Sequence, residues 1–580
     1  MGATSSLSAV SAREHRELRA HLHWPRYHVA GTTGALLFAC ASFTPSLLPR
    51  SWVLQGVVNG LSASFGYGLG VMLAWLAHRL ARRTLAPTTT QRLRVLVAVL
   101  GVPLVAWTLW LGQRWQRQVN LLIGEAPPQS YAWVRIPLLT LAVLLTVLAV
   151  ARVTRRVVRW LTRPLVSMLP RRIAGVAPLL VIVLLIGLND RLLWRGLLPA
   201  ADLAFGAVNG MTNHGTVPPR APELSGSPAS LVPWKSLGRQ GRDFVTLAPS
   251  VPSLSRFTGA PAKQPVRAYV GLKSAPTTSA RAALAVRELR RAGGFDRAVL
   301  LVATTTGTGW VDPAATASLE YMYGGDTAVV TMQYSDIPSW ISFLTDHREA
   351  VAAGRQLFNQ VYHAWAALPA GHRPKLLVTG SSFGALGSEA AFTSLADVRR
   401  RTDGVVWAGT PDSGDLHRYL VQHRRPGTPE RLPVYGDGRT VRFVDTAPDL
   451  RRPATPWQRP RVVYLQNASD PVVFWSPRLL FDKPTWLFEP RGPDVPASMR
   501  WIPVVTFWQV TADLPFALDV PAGHGHNYRD SFSDAWAAVA PPPGWTAADT
   551  HRLHAQVTRA VHEPAGGPLP SLSRVTGAAR

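Results

Sequence analysis

"LLVTGSSFGALGSEAAF", residues 376–392, opens as an apolar run and then places three glycines and three serines within nine residues before turning alanine-rich. The run "KLLVT" predicts a strand, "GSSFG" a turn and "ALGSEAAFTSLADV" the start of a helix. Gly380-Ser381-Ser382-Phe383-Gly384 fits G-x-S-x-G, the pattern in which a sharp strand-to-helix bend lifts a serine above a sheet. Glycines permit crowding that a Cβ would block. The N–H of Phe383, at the helix start, would face an oxyanion formed beside Ser382. In a chain this rich in Gly and Ser the pattern arises by chance on the order of a few tenths of a time. Its meaning therefore depends on its surroundings.

Those surroundings alternate β-rich and helical runs. "VRAYVGL", a helix over 279–292, "AVLLVAT", "TAVVTMQY" and a helix over 347–367 precede "PKLLVTG"; "GVVWAGT", "RVVYLQNA" and "WIPVVTFWQV" follow as further strands. Such alternation predicts parallel strands with crossover helices, an α/β domain that binds ligands at the C-terminal ends of its strands. "YLQNASDPVVFW" puts Asp470 just past one strand, and "DVPAGHGHNY" puts His524 and His526 in a glycine-rich loop after the last. Ser, then Asp, then His is the chain order of the α/β-hydrolases. Singly, an Asp before Pro is a turn former and a loop His a surface residue. Together they predict a triad in which Ser382 attacks an acyl carbonyl, the imidazole shuttles the proton and the carboxylate fixes the tautomer. His526 is preferred to His524, and Asp470 to Asp412 of "AGTPDSG". The second oxyanion donor is expected among Gly307, Thr308 and Gly309 in "TTGTGWVDP", with Trp310 walling the pocket. No metal or cofactor is needed for this chemistry.

The first third of the chain has a different character. Apolar segments at 29–48, 53–77, 95–112, 133–150 and 173–188 approach the ~20 residues a membrane-spanning helix needs. Stretches such as "PLLTLAVLLTVLAV" have no polar face to turn toward water. Gly56, Gly60 and Ser64, then Gly66 and Gly70, repeat at a spacing that lets helices approach closely in lipid. Arginines cluster on alternate sides of these segments: Arg13 to Arg26, Arg79 to Arg94 and Arg152 to Arg172. The intervening connections carry only Arg50, and then Arg114, Arg117 and Arg135. The positive-inside rule then predicts a cytoplasmic N-terminus and, after five spans, a catalytic half outside the cytoplasm. Those clusters account for much of the net charge of +27, so nucleic acid is not an expected partner. With one cysteine, Cys40, neither a disulfide framework nor a Cys-rich metal site can form.

The expected organisation is a cytoplasmic tail over 1–27, a transmembrane domain over 28–211, a Pro/Ser-rich linker over 212–264, a catalytic domain over 265–565 and a flexible tail over 566–580. The linker is expected as a tether with some order around "WKSLGRQGRDFV". The segment 413–460 is long enough to serve as a lid.

With these residues in view, the chain resembles a family of bacterial multi-pass membrane proteins with a C-terminal α/β-hydrolase domain. The resemblance runs through "FTPSLLPR", "LGRQGRDFV", "TGTGWVDPAATASLEYMYGGDTAVVTMQYSDIPSW", "RPKLLVTGSSFGALGSEAAF", "ASDPVVFW" and "GHGHNY". It implies an N-terminal all-α transmembrane bundle followed by an α/β-hydrolase domain, a mostly parallel sheet with helices on both faces. It implies a triad of Ser382, Asp470 and one His of "GHGHNY". Family members commonly carry G-E-S-L-G; here Ser381 and Phe383 stand at the variable positions. The expected activity is cleavage of acyl esters of membrane or envelope lipids. An acyltransferase, or a non-catalytic membrane scaffold or transport protein, is the alternative.

Overall fold

The computed structural model describes residues 27–81, 86–127, 132–168, 205–338 and 347–562, with Gly187 and Ile341. The N-terminal tail to residue 26, most of the expected span 173–188 and the C-terminal tail 566–580 lie outside the described residues. The chain divides into two compact units. One comprises Met1–Thr44, Ser51–Arg114 and Ser130–Arg152; the other comprises Pro45–Arg50, Trp115–Gln129 and Val153–Arg580.

The helical unit is built on close backbone contact. Helix Val29–Ala41 packs along helix Trp52–Ala81, and a Cβ on Gly66 would lie 2.3 Å from the Gly34 carbonyl oxygen. Only glycine allows that approach, as the spacing of small residues predicts. Among the described residues, three helices are long and apolar enough to cross a membrane: Trp52–Ala81, Pro87–Leu122 and Arg135–Arg163. The expected first span is corrected. Its helix, Val29–Ala41, has 13 residues, short of the ~20 a bilayer requires. Pro45 and Pro49 cannot donate helical hydrogen bonds and disfavour helix before them, and Pro45–Arg50 belongs to the other unit.

The second unit is organised by seven parallel strands in the order β1-β3-β2-β4-β5-β7-β6. They are β1 (Val266–Val270), β2 (Val299–Thr304), β3 (Thr327–Met332), β4 (Lys375–Ser381), β5 (Gly404–Ala408), β6 (Val441–Val444) and β7 (Arg461–Leu465). Nearly every strand residue is buried, as the near-continuous Val/Leu/Ala runs of a sheet covered on both faces require. The G-x-S-x-G stretch leaves the middle strand, β4.

The strand assignments need two corrections. "WIPVVTFWQV" is not a strand; Val505–Asp513 is helical, and its Val505, Thr506 and Val510 are buried on that helix. Conversely, 413–460 holds helix Asp415–Gln422 and edge strand β6, so it is not a free lid. Its four-residue strand was hidden by Arg442, a buried guanidinium that donates to Leu450 and Thr455 carbonyls and lies over the Trp457 ring. The long insertion falls later, over 471–520, as short helical turns between β7 and the histidine loop.

The stretch 212–264 is packed, not a free tether. It carries helices Gly238–Thr246 and Val251–Thr258, and Val232, Leu237, Val245 and Leu254 are fully buried in the main core. Leu224 adds a bridge beside β1 at Arg267. Arg267 itself pairs two-pronged with Glu320 at 2.8 and 2.7 Å and donates to the Phe244 carbonyl. Both members of this pair are buried, Glu320 completely. Glu320→Ala would strand the guanidinium and is expected to cost about 3–5 kcal/mol, read as a lowered midpoint in chemical denaturation.

Candidate active site

At the end of β4 the backbone takes a conformation that side chains avoid. Ser382 has φ 57° and ψ −126°, one of two non-glycine residues with positive φ among those described. Helix Phe383–Glu389 begins at the next residue. A strained residue at a strand-to-helix turn is the mark of a nucleophile elbow. The flanking glycines make it possible: a Cβ on Gly380 would lie 2.3 Å from the Gly384 carbonyl oxygen, and one on Gly384 would lie 2.3 Å from that of Thr304. Ser382 is 6% exposed, so charge forming there would be weakly screened.

The neighbouring strand supplies the floor. The Ser382 N–H donates to the Ala408 carbonyl at 2.9 Å. One residue on, Gly409 has φ 57°, and a Cβ there would lie 2.2 Å from Cε1 of His526. The imidazole thus covers Gly409 beside the serine's own backbone.

His526 Nδ1 meets Asp470 Oδ2 at 2.7 Å, with the Asp fully buried and the His nearly so. Asp470 caps the turn Pro471–Phe474, its Oδ1 accepting the Val472 N–H at 2.8 Å. The Tyr528 hydroxyl donates to Oδ2 at 2.5 Å. Both Asp470 oxygens are thus engaged, which fixes the carboxylate's orientation toward the imidazole. The other imidazole nitrogen, Nε2, is buried and has no hydrogen-bond partner among the described residues. The Ser382–His526 hydrogen bond is accordingly not made in this state; such bonds often tighten only when substrate binds.

His524 is placed elsewhere. Its Nδ1 meets Asp494 at 3.0 Å and its side chain is 27% exposed, so of the two candidate histidines His526 joins Asp470. Asp412 does not meet the imidazole; its carboxyl, raised by burial, faces Arg418 and Arg478.

The loop after β2 borders the elbow through Thr304 and Thr305. Gly309 is corrected as an oxyanion donor, because its N–H donates to the Thr306 carbonyl at 3.0 Å while its own carbonyl accepts the Tyr269 hydroxyl. Thr308 is half-buried in this loop, its carbonyl accepting from Gln333. Phe383 has its backbone at the first position of the helix and its ring in the core. Trp310 is buried, its carbonyl accepting the Thr306 N–H.

Three contributors escape a sequence reading. Tyr528 lies inside "GHGHNY" but carries no catalytic signature. Asn467, whose side chain donates to the Gly525 carbonyl at 2.9 Å, reads only as a turn residue. Asp312 caps helix Pro313–Met322; burial raises its carboxyl, against the pull of Arg529, the Ala314 N–H and His526. Among the described residues no group of three or more His, Cys, Asp or Glu side chains is arranged to hold a metal ion.

A seven-stranded parallel sheet with a strained serine at its middle strand and an Asp–His pair at the same edge defines an α/β-hydrolase fold. Residues 266–553 match the model of an "Alpha/beta-hydrolase family", and residues 43–249 that of the "Alpha/beta-hydrolase family N-terminus". The chain belongs to this α/β-hydrolase family. No curated protein and no solved structure compared with the chain gives a significant match.

Proposed function

We propose that this chain is a membrane-anchored serine hydrolase that cleaves acyl esters, with Ser382 as nucleophile, His526 as general base and acid, and Asp470 as its orienting carboxylate. The observation that carries this reading is the buried Asp470–His526 pair, its second nitrogen unpaired, above Gly409 and beside the strained Ser382. In the forward step Nε2 takes the Ser382 proton as Oγ adds to the carbonyl carbon. The Phe383 N–H, at the helix start, and a donor from the 305–308 loop stabilise the oxyanion. The imidazolium returns its proton to the leaving alcohol; water activated by the same nitrogen then releases the acid.

The lipid-ester assignment rests on position and surface. Among the described residues, three helices are long and apolar enough to cross a bilayer. The 471–520 insertion exposes Phe481 and Phe488, with Lys483 Nζ 3.7 Å from the Phe488 ring centroid, the aromatic and cationic pairing that suits a lipid headgroup region. The connections support an orientation. Leu47, Leu48 and Ile123 come from the two arginine-poor connections and are buried in one cluster with Ala468, Val472 and Val473. This supports placing the catalytic unit on the arginine-poor, extracytoplasmic side.

The test is hydrolysis of p-nitrophenyl esters and of phospholipid vesicles by detergent-solubilised chain. Release of acid in proportion to active protein supports the reading; inertness toward every ester and lipid offered would contradict it. A protease added to intact cells should cut the catalytic unit. Gly409→Ala would push a methyl into His526, and kcat is expected to fall about 100-fold with KM little changed, the scale set by a misplacement of about 1 Å.

A further inference from the structure

The motif "FTPSLLPR" lies more than four hundred residues before His526 in the chain, yet its central residues are built into the histidine's support. Ser46, Leu47 and Leu48 are all buried. Ser46 Oγ donates to Asp513 Oδ2 at 2.5 Å, and the Leu48 N–H reaches the same oxygen at 3.3 Å. Asp513, at the end of helix Val505–Asp513, opens the turn that leads to Ala517. The Ala517 carbonyl then accepts the His526 N–H at 2.7 Å. A second path is steric: a Leu48 methyl lies 3.3 Å from where a Cβ on Gly525 would sit, and Gly525 has φ 50°. Leu47 and Leu48 share their cluster with Val472, Val473, Leu514, Ala517 and Val520, residues that follow the catalytic Asp or precede the histidine loop.

We infer that Pro45–Arg50 is a positioning element of the active site: Ser46 and Leu48 hold Asp513, the 514–517 turn and Gly525 so that His526 keeps its place over Gly409. The inference rests on the assignment of His526 as the base. It explains why a segment from the N-terminal region belongs to the catalytic unit by contact, and it makes that unit incomplete without it. The side chains act through packing and one shared carboxylate, so their loss should loosen the imidazole without removing any group that touches substrate.

The test uses the full-length chain in detergent. A fluorophosphonate burst counts competent sites, and turnover of a p-nitrophenyl ester is expressed per counted site. Leu48→Ala is expected to lower kcat per site about 10-fold or more with KM within about twofold, the pattern of a mispositioned base. The volume-conserving Leu48→Met should stay within about threefold of the unaltered chain. A structural role alone would reduce the number of titratable sites and leave kcat per site unchanged, and that result overturns the inference. Should Leu48→Ala give no folded protein, Ser46→Ala removes only one hydroxyl and is read the same way, with a smaller loss expected and an unchanged kcat per site again contradicting the role. Failure of the unaltered chain to be titrated at all would sink the serine assignment itself, before any variant is compared.

Discussion

Ser382→Ala is expected to abolish ester hydrolysis, by roughly 10⁴- to 10⁶-fold in kcat, leaving only the residual acceleration that binding and an oxyanion site supply without a nucleophile. The fold should survive, because the elbow is fixed by Gly380, Gly384 and the Ser382 N–H to Ala408. Ser382→Gly separates function from strain. At φ 57° and ψ −126° a residue without a Cβ is relieved of a cost of order 1 kcal/mol. The glycine variant should therefore be as inactive as the alanine variant and more stable in denaturation by about 1 kcal/mol. A loss of activity with a matching loss of stability would instead mark Ser382 as a structural residue.

Asp470→Asn is the second large effect, expected at about 10³- to 10⁴-fold in kcat with little change in fold. Asp470 accepts from Val472 and Tyr528 and holds His526. An asparagine in its place offers two N–H donors where three groups now find only acceptors. The imidazole is then driven to the tautomer whose Nε2 carries a proton and cannot act as base. Asp412→Asn serves as the control, since Asp412 faces Arg418 and Arg478 and not the imidazole. Its rate should stay within about twofold of the unaltered chain. Steady-state kinetics with a soluble ester checks both.

The residues that carry local rules were legible in the sequence. Gly380 to Gly384 spell an elbow because sterics at a strand-to-helix bend restrict the choice, and the apolar runs of β1 to β5 and β7 announce themselves by composition. Asp470 and His526 were legible through chain order, but the choice between His524 and His526 was not. It depends on which acid each ring meets, Asp494 or Asp470, and no spacing rule encodes that. The errors have physical causes too. "VVTFWQV" is β-branched and aromatic, yet tertiary packing makes it helical. β6 was missed because a buried Arg442 interrupts its alternation. Gly309 reads as an open donor until the loop folds and its N–H closes a turn. Leu47 and Leu48 read as the end of a membrane span, since hydrophobicity reports burial but not what does the burying.

The most direct measurement is the site of covalent capture: the purified chain is treated with a fluorophosphonate, digested, and mapped by mass spectrometry. The account predicts one adduct, on the peptide carrying Ser382, formed at a rate that falls sharply in Asp470→Asn. An adduct on another residue, or ester hydrolysis that continues while Ser382 remains unlabelled, would contradict it.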